Sequence, residues 1–226
     1  MSKRILTGLV LIGIAVFGVI GFEYKIYATQ DLAVEKLAQV EQAKELLGVK
    51  GLRKVAKIQD DMEVSDFVHS ITEKSLPKKW KAMASRIADT IIEESAKYRL
   101  DPLFLMAVIR TESSFSPEVR GSSGEIGLMQ LLPKTAKWII SKTNLELKGN
   151  LKDPVENIKI GAAYFSYLRD KFSANAAHYI AAYNMGTTNV YRALASNKKP
   201  KVYPMRVMKH YFDLYSTAKK EEYANY

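Results

Sequence analysis

Cysteine is absent from the chain. That excludes disulfides, a thiol nucleophile, thiolate zinc sites and lipid attachment through an N-terminal cysteine. Histidine is scarce: His69, His178 and His210 are far apart and show no ligand spacing, so neither a metal nor another cofactor is expected. A Ser-His-Asp system lacks its Gly-x-Ser-x-Gly elbow. Internal repeats and low-complexity tracts are missing, and no run alternates apolar and polar residues as a half-buried strand does. Acidic residues are also short, 24 against 34 Lys and Arg, for a formal charge of +10. Residues 1–77 hold 10 of each sign, so the whole excess sits in residues 78–226. A basic globular half suits an anionic partner such as cell wall, phospholipid or nucleic acid. Nucleic acid is the weakest of these, because no recognition motif appears and the N-terminus points to export.

The export signal is residues 5–22, an uncharged and mainly apolar stretch behind Lys3 and Arg4. At about 1.5 Å per residue it is just long enough to cross a hydrocarbon core. The preceding cations place the N-terminus in the cytoplasm and the remainder outside. The stretch reads as an uncleaved signal anchor in the inner membrane or, if Val19-Ile20-Gly21 is cut, as a signal peptide. Residues 29–47 have amphipathic helical periodicity, with Leu32, Leu37, Val40, Ala43 and Leu47 near one stripe. They read as a helical spacer packing on the domain. Residues 49–77 read as a linker with a short helix over 65–74. The expected organisation is therefore an anchor or signal peptide over 1–22, a helical spacer over 23–77 and a globular domain over 78–226.

From Lys78 onward helical periodicity dominates. Trp80, Met83, Ala84, Ile87, Ile91 and Ala96 recur at three- and four-residue intervals. Asp101 can cap the next helix and Pro102 fits its first turn. Further helices are expected over 133–141, 157–172, 174–183, 188–196 and 203–218. The fold class is mainly α.

Chemistry enters at Glu112. It closes an apolar helix, sharing a face with Ile109, Val108 and Leu105. A carboxyl group over such a surface is partly desolvated, which penalises its charged form and raises its pKa. A general acid acting on a glycosidic oxygen needs that property. The plainer reading is a helix-end Glu paired with Arg110 or Arg99. Two later segments weigh against it: Gly127-Leu128-Met129-Gln130 and Ala182-Tyr183-Asn184-Met185-Gly186.

In this order and spacing, the three pieces resemble the catalytic domain of lytic transglycosylases of the soluble-lytic-transglycosylase type, relatives of goose-type lysozyme. The resemblance covers roughly residues 80–215. It implies a lysozyme-like α-helical lobe and a peptidoglycan substrate. It also implies that Glu112 protonates the bond between N-acetylmuramic acid and N-acetylglucosamine. Glu112 then acts as base on the C6 hydroxyl, closing a 1,6-anhydro ring without consuming water. By the same resemblance Ser113 supports the site through hydrogen bonding, Gln130 lines the cleft, and the Tyr183 hydroxyl lies near the catalytic carboxylate. Met129 is either sugar-facing or core. Asn157 and Gly161 fit a family helix and take a packing role.

The chain departs from the commonest family pattern at two places. Many relatives have Ser where Gly121 stands and Ala where Glu125 stands. Glu125 is then either a cleft group that orients water or binds a substrate amide, or an ordinary loop carboxylate. Two other functions stay open: a goose-type muramidase, which a second carboxylate such as Glu125 or Asp153 would favour, and a catalytically silent wall-binding or assembly protein.

Overall fold

The computed structural model describes residues 41–47 and 64–224, with side chains through residue 218. The expected membrane segment, most of the spacer helix and the first part of the linker lie outside the described residues. Among the described residues no helix is long and apolar enough to cross a membrane.

The chain is helical as expected. Helical residues 41–47 (α1) are followed by α2 (Val64–Ser75), a 3₁₀ turn (Lys78–Met83), α3 (Ala84–Tyr98), α4 (Pro102–Ser113) and α5 (Pro133–Thr143). Then come α6 (Pro154–Lys171), α7 (Ala176–Met185), α8 (Thr187–Ala195) and α9 (Val202–Ala224). No strand forms among the described residues; two isolated bridges pair Ile126 with Arg120 and with Leu131.

Local chemistry sets these boundaries. Pro102, Pro133 and Pro154 occupy first turns, where the missing N–H costs nothing. Asp101, Asp153 and Asn175 cap α4, α6 and α7 by accepting from backbone N–H groups. Left-handed residues at Arg99, Ser114 and Asn144 stop α3, α4 and α5.

Helix α4 is the centre of the core. Every residue from Leu103 to Ile109 is fully buried, as expected of a helix apolar on all sides. It packs on α9, α3 and α2. Phe104 meets Phe165 and Tyr179 edge-on, at centroid distances of 5.1 and 6.3 Å.

The packed body starts before residue 78. Phe67, Val68 and Leu76 are buried, so the segment carrying α2 belongs to the core rather than to a linker. Gln42 and Ala43 of α1 are buried as well. The Asp101 N–H donates to the Gln42 side-chain carbonyl, Arg169 pairs with Glu45, and Arg99 lies 3.1 Å from Glu41. The boundary expected at residue 78 therefore falls inside one continuous packing unit, because the apolar side chains of α2 complete the surface of α3.

Candidate active site

Both ends of α4 end in carboxylates, and α9 reaches both. At the start, Asp101 is buried; its Oδ1 accepts from the Leu103 N–H at 2.8 Å. Its Oδ2 accepts from the Tyr211 and Tyr215 hydroxyls at 2.6 and 2.5 Å. Burial holds this carboxyl above the usual range, although the hydroxyls and backbone donors pull it back.

At the other end Glu112 is half-buried, and the Tyr203 hydroxyl of α9 donates to its Oε1. Among the described residues Oε2 has no hydrogen-bond partner. Desolvation raises the Glu112 pKa above the ordinary carboxylate value; the Tyr203 hydrogen bond and the Arg206 charge oppose the rise, and the Glu125 charge adds to it. The result is a carboxyl group biased toward its protonated form and partly open to approach.

Glu112 borders a cavity of about 390 Å³, shared with Glu125, Gln130, Tyr164, Tyr183 and Asn184. A larger hollow of about 560 Å³ lies elsewhere, between Glu41, Lys97, Arg99, Arg169 and Asp170. Arg99 and Arg169 are already paired with glutamates of α1 there. Of these two cavities, only the smaller is lined by a desolvated carboxyl group with a free oxygen, that of Glu112.

The cavity wall opposite α4 is the loop 120–131. Ser113 Oγ donates to the Leu128 carbonyl at 2.8 Å and to Ile109 at 3.1 Å, fastening the loop to the end of α4. From the far side, Asn157 of α6 clamps the same loop. Its Oδ1 accepts from Met129 N–H at 2.8 Å, and its Nδ2 donates to the Ile126 and Leu151 carbonyls at 2.8 and 3.0 Å. Gly127 has φ +84°, and a Cβ there would lie 2.4 Å from Asn157 Nδ2 and 2.7 Å from the Leu151 carbonyl. Both the backbone conformation and the close approach require glycine.

The expected site residues separate into two groups. Glu112, Gln130, Tyr183 and Glu125 line the cavity. Gln130 has φ +46° and donates its Nε2 to the Val119 and Gly127 carbonyls at 3.0 and 2.9 Å, so its amide is oriented by the loop. Tyr183 donates to the Met129 carbonyl at 2.7 Å and stacks on Phe165 at 4.1 Å. Ser113 and Met129 do not face the cavity. Ser113 is buried and committed to backbone carbonyls, while the Met129 side chain is fully buried over Gly161. A Cβ at Gly161 would lie 2.3 Å from Met129 Sδ, which explains the glycine in α6. Asp153 caps α6 and is absent from the cavity lining.

The sequence alone does not announce the Tyr203 hydroxyl on the Glu112 carboxylate. Tyr203 appears in the sequence only as the start of a helix, 91 positions after Glu112. No local pattern marks it, since its role depends on α9 docking along α4.

The sequence profile of the Transglycosylase SLT domain matches residues 89–205, which include every cavity residue named above and Tyr203. The chain belongs to this family. Among SLT relatives, membrane-bound lytic murein transglycosylase C of Photorhabdus laumondii is 32% identical over 157 residues, covering 65% of this chain and 43% of that protein. A putative soluble lytic murein transglycosylase of Haemophilus influenzae is 33% identical over 119 residues, covering 50% of this chain and 20% of that protein. The chain thus spans less than half the length of these relatives. Its fold is similar to that of an inactive mutant of the lytic transglycosylase Slt from Pseudomonas aeruginosa (TM-score 0.51, 26% identity, 64% of this chain and 26% of that one). It is also similar to the 70 kDa soluble lytic transglycosylase of Escherichia coli (TM-score 0.50, 26% identity, 61% and 26%).

Proposed function

We propose that this protein is a peptidoglycan lytic transglycosylase with Glu112 as its general acid and base. The observation that carries the reading is a desolvated carboxyl group with one free oxygen, held by Tyr203 at the edge of the 390 Å³ cavity. Glu112 protonates the oxygen between N-acetylmuramic acid and N-acetylglucosamine, and the C1–O bond breaks. The resulting carboxylate takes the proton of the C6 hydroxyl, whose oxygen bonds to C1. Glu112 ends protonated again, and no water enters.

The other residues take supporting parts. Gln130 presents its side-chain carbonyl to the sugar, because its amide nitrogen is occupied by the loop. Tyr183 shapes the wall beside the carboxylate. Ser113 and Met129 act indirectly: Ser113 fixes the loop to α4, and Met129 offers its carbonyl to Tyr183. A lysozyme-like helical lobe whose packed body begins before residue 78 carries the chemistry. The apolar run at 5–22 anchors the chain to the periplasmic face of the inner membrane, a reading supported by the "membrane-bound" names of several relatives.

A second reading, hydrolysis by a muramidase, is favoured by one observation: Glu125 lies in the same cavity as Glu112. Product mass separates the two. Full-length protein is incubated with purified peptidoglycan, and the released muropeptides are weighed. Products one water lighter than hydrolysed ones, absent with Glu112→Gln, establish the lytic reaction; reducing-end products establish the muramidase. Wall binding without products would defeat both.

A further inference from the structure

Gly121 and Glu125 lie in one turn of the loop that lines the cavity, and the structure places them in contact. The turn between them is closed by the Gly121 N–H donating to the Glu125 carbonyl at 2.9 Å and the Gly124 N–H donating to Gly121 at 3.2 Å. The Glu125 side chain folds back over this turn, where its Oε2 accepts from the Ser123 N–H at 2.9 Å. A Cβ built on Gly121 would lie 2.2 Å from that same Oε2, 2.9 Å from Glu125 Cδ and 3.0 Å from Gln130 Oε1. The residue has no positive φ, so the turn itself does not require glycine. What requires it is the space taken by a carboxylate. Both residues line the cavity that Glu112 borders.

We propose that Gly121 and Glu125 are one device: the missing side chain at 121 seats a second carboxylate in the cleft, and Glu125 acts on the reaction as a positioning residue, through Glu112. The proposal rests on the reading of Glu112 as the acid. A fixed negative charge facing the same cavity makes a second one harder to form, so Glu112 keeps its proton to higher pH. The other groups acting on Glu112 come from α9 and α7. Tyr203 donates to it and Arg206 favours its charged form, while the Tyr183 hydroxyl lies close by. Glu125 works against Arg206, and this opposition is what the device supplies. The clash at Gly121 is with the far end of a flexible side chain. A methyl group there therefore displaces the carboxylate without breaking the turn.

The test is a pH profile of muropeptide release by full-length protein, in four forms: unmodified, Glu125→Gln, Gly121→Ala and the double variant, with Glu112→Gln as control. Glutamine keeps the shape of Glu125 and its acceptor for the Ser123 N–H, so only the charge is lost. The alkaline limb is expected to move to lower pH in Glu125→Gln and in the same direction in Gly121→Ala. The double variant is expected to match Glu125→Gln, since a displaced carboxylate and an absent one have the same effect on Glu112. An unmoved limb in Glu125→Gln would overturn the proposal, and so would additive shifts in the double variant. A switch of product from hydrolysed to anhydro form in Glu125→Gln would also overturn it, by giving Glu125 a direct part in handling water. Activity surviving in Glu112→Gln defeats the reading of the site itself, an outcome distinct from an unmoved limb. Thermal unfolding of each variant separates loss of fold from loss of tuning.

Discussion

Asp101 and Glu112 stand at opposite ends of one helix, both out of bulk water, both held by tyrosine hydroxyls of α9, and both with pKa values raised by burial. Only one of them borders a cavity. Asp101 has Oδ1 on a backbone donor and Oδ2 on two hydroxyls, and nothing can approach it. Glu112 has a single donor, on Oε1. A perturbed carboxyl group is therefore no sign of catalysis by itself. What separates the two carboxyl groups is saturation: Asp101 has both oxygens on donors, and Glu112 keeps one free beside open space.

This contrast can be broken in order of size. Glu112→Gln is expected to lower the rate of muropeptide release about 10²–10⁴-fold, the range for loss of a general acid. Its unfolding midpoint in denaturant should stay close to that of the unmodified protein. Asp101→Ala is expected to do the reverse. Losing the cap and the shared carboxylate acceptor of two buried hydroxyls costs about 2–4 kcal/mol of stability, read in urea unfolding. Its activity per folded molecule should be retained.

Smaller substitutions sharpen the comparison. Tyr203→Phe removes the one donor that favours ionised Glu112, so the alkaline limb of activity should move to higher pH, with a rate loss of about 10-fold at the optimum. Tyr211→Phe removes a donor from Asp101; about 1 kcal/mol of stability goes, and the limb stays in place. The smallest effect concerns pH and stability. The folded pKa of Glu112 is raised, so the folded state binds more protons than the unfolded chain between the two values. Stability is therefore lost as pH rises from the ordinary carboxylate value through the folded one. Glu112→Gln should melt higher than the unmodified protein at pH 8, and the difference should vanish as the pH falls below 4. A constant difference across that range would show that burial does not bias this proton.

Much of this was legible in the sequence. The Asp101-Pro102 start of α4, its apolar faces and the carboxylate at its end are local patterns, and local patterns set helices and caps. The Gly127–Gln130 and Ala182–Gly186 segments supplied the rest of the wall by resemblance. Three things were not legible. Tyr203 is tied to Glu112 by tertiary docking alone. The inward turn of Met129 follows from Gly161 in another helix. The packing of α2 is set by its contacts with α3 and α4, which bury Phe67 and Val68 of a mixed, charged segment. Each failure is a contact between distant elements, which a single-sequence pattern does not encode.

The docking of α9 also fixes an order of events. Glu112 and Tyr203 lie 91 residues apart, so a growing chain cannot bring them together until the ribosome has released both. Until then the end of α4 is wet, and its carboxyl group ionises like any exposed glutamate. The bias of Glu112 toward its protonated form comes from desolvation, and so is a product of tertiary docking rather than of α4 alone.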